Sequence, residues 1–175
     1  MTNITSGDWG DHLIGNNAVN RIESGGGDDH VEAGGGNDTI IGGSGAGDDT
    51  YDGGDDVDTI IYSSTTQGIV VNLSAASNQA TGSEIGTDQI VNVENVIGGS
   101  GGDGITGNAS NNVLWGGAGS DMIDGRMGFD DAVYGGNKGA YAITRNSNGE
   151  FLTFTVSGPD GTDTLRSIEK LAFAD

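Results

Sequence analysis

Aspartate, or asparagine in its place, recurs along this chain at a step of nine residues. Asp11, Asn20, Asp29 and Asp38 form one run, and Asp103, Asn112, Asp121 and Asp130 form a second. A step of eleven leads from Asp38 to Asp49, and Asp58 then restores the step of nine. The chain has no cysteine and two histidines. Regularly spaced carboxylates in such a background are hard oxygen donors, and the cation that suits them best is calcium, which takes about six to eight oxygens.

The residues around each acid say how it would be held. The segment Gly116-Gly-Ala-Gly-Ser-Asp-Met-Ile-Asp124 reads GGxGxDxUx, with U a large apolar residue. Two positions beyond the acids lie Leu13, Ile22, Val31, Ile40, Ile60, Ile105, Leu114, Ile123 and Ala132. Six residues rich in Gly, Asp and Asn form a turn because glycine admits positive φ. Three residues centred on an apolar side chain make a minimal strand. Nine residues are then half a coil and eighteen a full one, with U side chains pointing inward between two parallel sheets and coils about 4.8 Å apart. The fold class expected is all-β, a parallel β-roll or two-sheet solenoid.

On that geometry residues one coil apart become vertical neighbours. Asp11 meets Asp29, Asn20 meets Asp38, Asp29 meets Asp49, Asp38 meets Asp58, Asp103 meets Asp121, and Asn112 meets Asp130. Bare carboxylates this close repel each other. A calcium ion between successive turns removes the repulsion, with carbonyls of the glycine turns completing its shell. The two extra residues before Asp49 are assigned to Gly42–Gly47, a loop expected to bulge outward.

Four segments follow: a first repeat array over 1–61, a β spacer or cap over 62–97, a second array over 98–133, and a β-hairpin cap over 134–175, all in one continuous roll. The spacers resemble each other at an offset of 75, Gly86-Thr-Asp-Gln-Ile through Glu94 matching Gly161-Thr-Asp-Thr-Leu through Glu169. Strand-like runs lie at Ile69–Leu73, Tyr141–Thr144 and Phe151–Val156, the last two read as a hairpin around Asn146–Gly149.

Composition sets the outer bounds. With 35 glycines and 33% hydrophobic residues the chain is poorly supplied for an ordinary globular core. A net charge of -20 repels nucleic acid and anionic membrane surfaces. Composition alone would suit a flexible linker, and the regular U positions argue against that. No stretch has the roughly 18 apolar residues of a membrane span. The start MTNITSGDWG lacks the basic and apolar segments of a cleavable signal, so export would need another address.

The nonapeptide, over about residues 6 to 61 and 98 to 133, resembles the repeat of the repeats-in-toxin (RTX) family of haemolysin-type calcium-binding proteins. That resemblance implies a calcium-loaded β-roll that folds outside the cell after export by a type I secretion machine. It implies several Ca2+ ions, held by the acids and amides above together with carbonyls of Gly25, Gly27, Gly34, Gly36, Gly43, Gly47, Gly99, Gly101, Gly117 and Gly119. Trp9 and Asp56 stand where glycine is usual, and Asn20 and Asn112 replace aspartate, which weakens those sites. The function expected is a secreted, extracellular folding and stabilising module. The alternatives are a calcium-rigidified adhesion or surface-layer segment, or an accessory module that positions substrate for a secreted hydrolase or alginate epimerase. A polysaccharide or cell-surface partner belongs to those alternatives.

Other constellations carry less. Gly42–Gly47 lacks the Lys-Ser/Thr pair of a phosphate loop, and Asp52–Asp58 lacks the glycine and terminal glutamate of an EF-hand. The acids are explained by the repeat rather than by a glycosidase pair, so no enzyme activity is expected. His12 and His30, eighteen apart, are expected to stack on the outer face, where they could share a zinc ion; solvated strand residues are the reading preferred. Trp9 and Trp115 are expected to pack or cap rather than to form a sugar-binding face.

Overall fold

A computed structural model describes residues 2–43, 45, 47–147 and 152–175. The turns take most of each nine-residue unit, which leaves strands of three to five residues in the arrays, and these line two sheets. The first sheet holds β1 (Thr2–Thr5), β3 (Asn20–Glu23), β5 (Thr39–Ile41), β7 (Thr59–Ile61), β11 (Asn95–Ile97), β13 (Val113–Trp115), β15 (Asp131–Val133) and β19 (Lys170–Ala172), in that order and all parallel. The second holds β2 (His12–Asn16), β4 (His30–Gly34) and β6 (Thr50–Asp52), then the first spacer, then β12 (Gly104–Thr106) and β14 (Met122–Asp124), then the second spacer. The fold is a two-sheet β-roll.

Register follows the apolar position. In the first sheet Ile22, Ile40, Ile60, Val96, Leu114, Ala132 and Leu171 pair in one column. In the second, Leu13, Val31, Tyr51 and Ile90 form one stretch, and Val71, Ile105, Ile123 and Leu165 another. All but Leu13 and Leu171, at the two ends, are buried. Each fully buried Ile, Leu or Val contributes about 1.5–3 kcal/mol, so a core one side chain wide is built by repetition. His30 still pairs with Thr50, twenty residues on, so the two extra residues are absorbed in the turn rather than in the strands. Of the expected Gly42–Gly47 bulge, Ser44 and Ala46 lie outside the described residues.

Both spacers are three-stranded antiparallel excursions that return to the roll. After β7 the chain jumps ahead to β8 (Val70–Asn72), which pairs in parallel with β12. It turns back through β9 (Ala80–Gly82) and rejoins as β10 (Gly86–Val91), parallel to β6. At the C-terminal end β16 (Ala142–Ser147) and β17 (Leu152–Gly158) form a hairpin on β18 (Gly161–Arg166), which pairs in parallel with β14. The 75-residue offset is thus the re-entry strand, β10 and β18. Strands β1 and β9 were not expected from the sequence, because TNIT and ATG show neither repeat nor alternation. Of the expected hairpin, Asn148, Gly149 and Phe151 lie outside the described residues. Tyr134, Tyr141 and Phe173 pack with ring centroids 5.0–5.4 Å apart near this end.

The expectation for Trp9 is corrected. Its backbone stacks on Gly27, but the residue is 83% exposed, since a side chain at a turn position projects away from the roll. Trp115 does pack, its indole lying against Gly135.

The turns that end on Asp29, Asp38, Asp58, Asp121 and Asp130 have positive φ at their second and fourth positions. Gly119 has φ +123°, and a Cβ there would come within 2.2 Å of the Gly101 carbonyl oxygen. Two non-glycines occupy equivalent places, Asp56 with φ +81° and Arg126 with φ +75°. Asp56 recovers part of the strain by accepting the Gly36 N–H at 3.1 Å. Gly119→Ala is expected to destabilise the calcium-saturated protein by about 1–3 kcal/mol in urea unfolding. Gly139→Ala, with open space around it, should change stability by no more than about 0.5 kcal/mol. Equal midpoints for the two variants would contradict this reading of the turns.

Candidate metal centre

Each turn ends on an acid or amide at its sixth position, immediately before the strand, and the parallel register places the next coil's acid beside it. Backbone N–H groups of Asp11, Asn20, Asp29, Asp38, Asp103 and Asn112 donate to Oδ1 of Asp29, Asp38, Asp49, Asp58, Asp121 and Asp130 respectively, at 2.7–2.8 Å. These are the six expected pairs, four of them eighteen residues apart and two, across the insertion, twenty apart. The ladder continues into the spacers, where Asp49 N–H donates to Asp88 Oδ1 (3.2 Å) and Asp58 N–H to Glu94 Oε2 (3.0 Å). It resumes with Ile69 N–H on Asp103 Oδ1 and ends with Asp121 on Asp163 and Asp130 on Glu169, each at 2.9 Å.

Asp88, Glu94, Asp163 and Glu169 were missed in the nine-residue reading. Their signal was present: Asp88-Gln-Ile and Asp163-Thr-Leu carry the same D-x-U, and all four acids sit at the 75-residue offset.

One carboxylate oxygen makes the rung, and the fate of the other sorts the turns. Asp38, Asp58, Asp121 and Asp130 each keep a buried Oδ2 with no hydrogen-bond partner, as does Asp29, whose carboxylate lies beside Ser24. In three of these turns Oδ2 points back over the first glycine. A Cβ on Gly53, Gly116 or Gly125 would lie 2.6, 2.0 or 2.4 Å from Oδ2 of Asp58, Asp121 or Asp130. An unsatisfied buried carboxylate oxygen costs several kcal/mol unless a cation meets it.

Elsewhere the second oxygen is already engaged. Asp49 Oδ2 accepts the Tyr51 hydroxyl at 2.6 Å, Asp88 Oδ2 the Tyr62 hydroxyl at 2.7 Å, and Asp103 Oδ2 the Gly99 N–H at 2.9 Å. The asparagine turns close on themselves. Asn112 Oδ1 accepts Asn108 N–H, while Nδ2 donates to Glu94 O of the preceding coil and to Asn108 Oδ1. Asn20 likewise accepts Asn16 N–H and donates to Ala18 O and Asn16 Oδ1. An amide nitrogen here bridges oxygens as a cation would. Asp11 lies at the roll's N-terminal edge, half-buried, and joins the ladder through its N–H.

The glycines named from the sequence come together in stacked pairs. Ideal Cβ atoms on Gly43, Gly47, Gly117 and Gly119 would lie 2.0–2.2 Å from the carbonyl oxygens of Gly25, Gly27, Gly99 and Gly101. Gly34 presents its carbonyl oxygen 1.9 Å from the same point on Gly54, and Gly36 is bound to Asp56. Positive φ at Gly25, Gly27, Gly34, Gly36, Gly117 and Gly119 turns the peptide planes that expose these oxygens between coils. Orphaned Oδ2 atoms and inter-coil carbonyls form an all-oxygen donor set that fits calcium.

A family model for the RTX calcium-binding nonapeptide repeat matches residues 14–46, 44–60 and 97–132, in four copies. These two stretches, 14–60 and 97–132, match the RTX calcium-binding nonapeptide repeat. No curated protein matches the chain. The turns within the matched residues hold Asp29, Asp38, Asp58, Asp121 and Asp130.

Burial raises the carboxylates along the ladder above the ordinary aspartate range, and neighbouring acids add to it. Asp58 is pushed up to about 6, and Asp88 and Asp121 to about 7. Asp29, Asp38, Asp49, Asp103, Asp130 and Asp163 move in the same direction, burial again being the largest cause. Stripped of metal, the roll binds protons more tightly than the unfolded chain does. The stability this supplies is complete below about pH 4, where an unfolded aspartate titrates, and is lost as pH rises through about 6 to 7. Protein dialysed free of metal should therefore gain β-signal in far-UV circular dichroism as pH is lowered from 8 to 5. A signal that falls over that range would contradict the raised carboxylates.

Proposed function

We propose that this chain is a calcium-triggered folding and stabilising module of a secreted protein. In low cytosolic calcium the carboxylate ladder repels itself and the chain stays largely disordered. Outside the cell, calcium enters the turns, and binding energy becomes folding energy because no site exists in the unfolded state. The observation that carries this reading is the set of buried Oδ2 atoms left without partners at Asp29, Asp38, Asp58, Asp121 and Asp130. These residues would hold the ions, with glycine carbonyls of adjacent coils completing the shell. The Asn20 and Asn112 turns would contribute stacking without an ion, and Asp49 and Asp103 would bind only by giving up a hydrogen bond. Calcium itself supplies charge neutralisation and cross-linking between coils.

Magnitudes support a switch. An extracellular module binds calcium with a constant of about 0.1–1 mM, so a site at ten times its constant adds roughly 1.4 kcal/mol. Five such sites approach about 7 kcal/mol, comparable to the whole stability of a small domain. No helix among the described residues is long and apolar enough to cross a membrane. Export by a type I machine and extracellular residence, implied by the family resemblance, suit a chain that must remain unfolded until calcium is met.

Isothermal calorimetry and far-UV circular dichroism on chelator-stripped protein test this. A cooperative, calcium-specific gain of β-structure with several ions bound, absent with magnesium, is expected. The same β-content with chelator as with calcium would rule the switch out.

A further inference from the structure

We propose that His12, His30 and Glu32 form a zinc-type transition-metal site on the outer face of the second sheet, separate from the calcium turns. Parallel register pairs His12 on β2 directly with His30 on β4, and their ring centroids are 4.8 Å apart. Glu32 lies two residues beyond His30 on the same strand, so its side chain leaves the same face. Its Oε1 sits 2.9 Å from His12 Nε2 and 3.2 Å from His30 Nε2. All three donor atoms lie within 4.8 Å of one another. Zinc bonds nitrogen and carboxylate oxygen at about 2.0–2.2 Å, which sets tetrahedral donor–donor edges near about 3.3 Å. Both of these distances are within a few tenths of an ångström of that edge.

The donors also select the metal. Two imidazoles and one carboxylate suit zinc or a neighbouring transition ion, while calcium prefers the all-oxygen turns. All three side chains are exposed, so a fourth position opens to solvent. The backbone ladder between β2 and β4 holds the two histidines in register, so little ordering is needed on binding. Binding exchanges the two ring contacts to Oε1 for metal bonds, with each Nε2 coordinating as the unprotonated nitrogen and the ring N–H moving to Nδ1. The net charge of -20 favours any divalent cation near the surface, which makes a site-specific readout necessary.

The inference rests on strand register and side-chain distances rather than on the calcium reading, and its test uses the calcium-saturated full chain. Zinc is titrated by calorimetry, with the histidine ring nitrogens followed by long-range proton–nitrogen NMR. One equivalent of zinc should shift Nε2 of His12 and His30 together, leaving the far-UV spectrum unchanged. His12→Gln, His30→Gln or Glu32→Gln should each weaken that equivalent by at least about tenfold, since loss of even an outer-sphere partner costs about 10–100-fold. Zinc uptake undiminished in the His12→Gln/His30→Gln double variant, or no uptake by the parent chain, would overturn the site.

Discussion

The structure depends on a single side chain used twice. An aspartate at the end of each turn spends one oxygen on the backbone N–H of the neighbouring coil and presents the other to the interior of its own turn. The first contact fixes the vertical register to one coil, and hence the apolar column beneath it. The second leaves a charge that the fold alone does not satisfy. Asparagine joins the ladder only through its backbone N–H, turns its Oδ1 onto its own turn, and inserts its amide nitrogen among the oxygens, as at Asn112. Tyr51 and Tyr62 cancel it differently, donating hydroxyls to Asp49 and Asp88 inside the roll. The ladder is thus a continuous structural device with a subset of its rungs left open to a cation.

The spacers are read through the same constraint. Asp88 and Glu94, and again Asp163 and Glu169, terminate the turn ladders of each array. Between array and terminator the chain can leave for an antiparallel excursion, provided it returns with an acid and an apolar residue in register. In the first sheet β7 therefore pairs with β11 without a break, while the second sheet accommodates two added strands.

The arrays were legible in the sequence because period and chemistry coincide: the acid, the apolar residue two positions on, and the glycines all repeat at nine. Stacked pairs followed from arithmetic alone. The spacers were less legible. Glu94 sits on the nine-residue step, nine before Asp103, but carries a glutamate where the repeat has Asp or Asn, Glu169 reaches the ladder from an off-period position, and β9 rests on pairing to β8 and β10 rather than on its own Ala-Thr-Gly. The difference between open and closed rungs was only partly visible. Asparagine announced itself, but the hydroxyls that engage Asp49 and Asp88 come from Tyr51 and Tyr62, at apolar-column and neighbouring positions where the repeat pattern specifies no hydroxyl. Trp9 misled because an aromatic residue in a turn has no sheet to cover it.

The most direct test of the open-rung account is a calcium count by native mass spectrometry on the parent chain, Asp121→Asn and Asn112→Asp. Asp121→Asn should carry one ion fewer and Asn112→Asp one more, both remaining folded in saturating calcium. Counts that stay the same in both variants would show that the sixth-position oxygens are not what hold the ions.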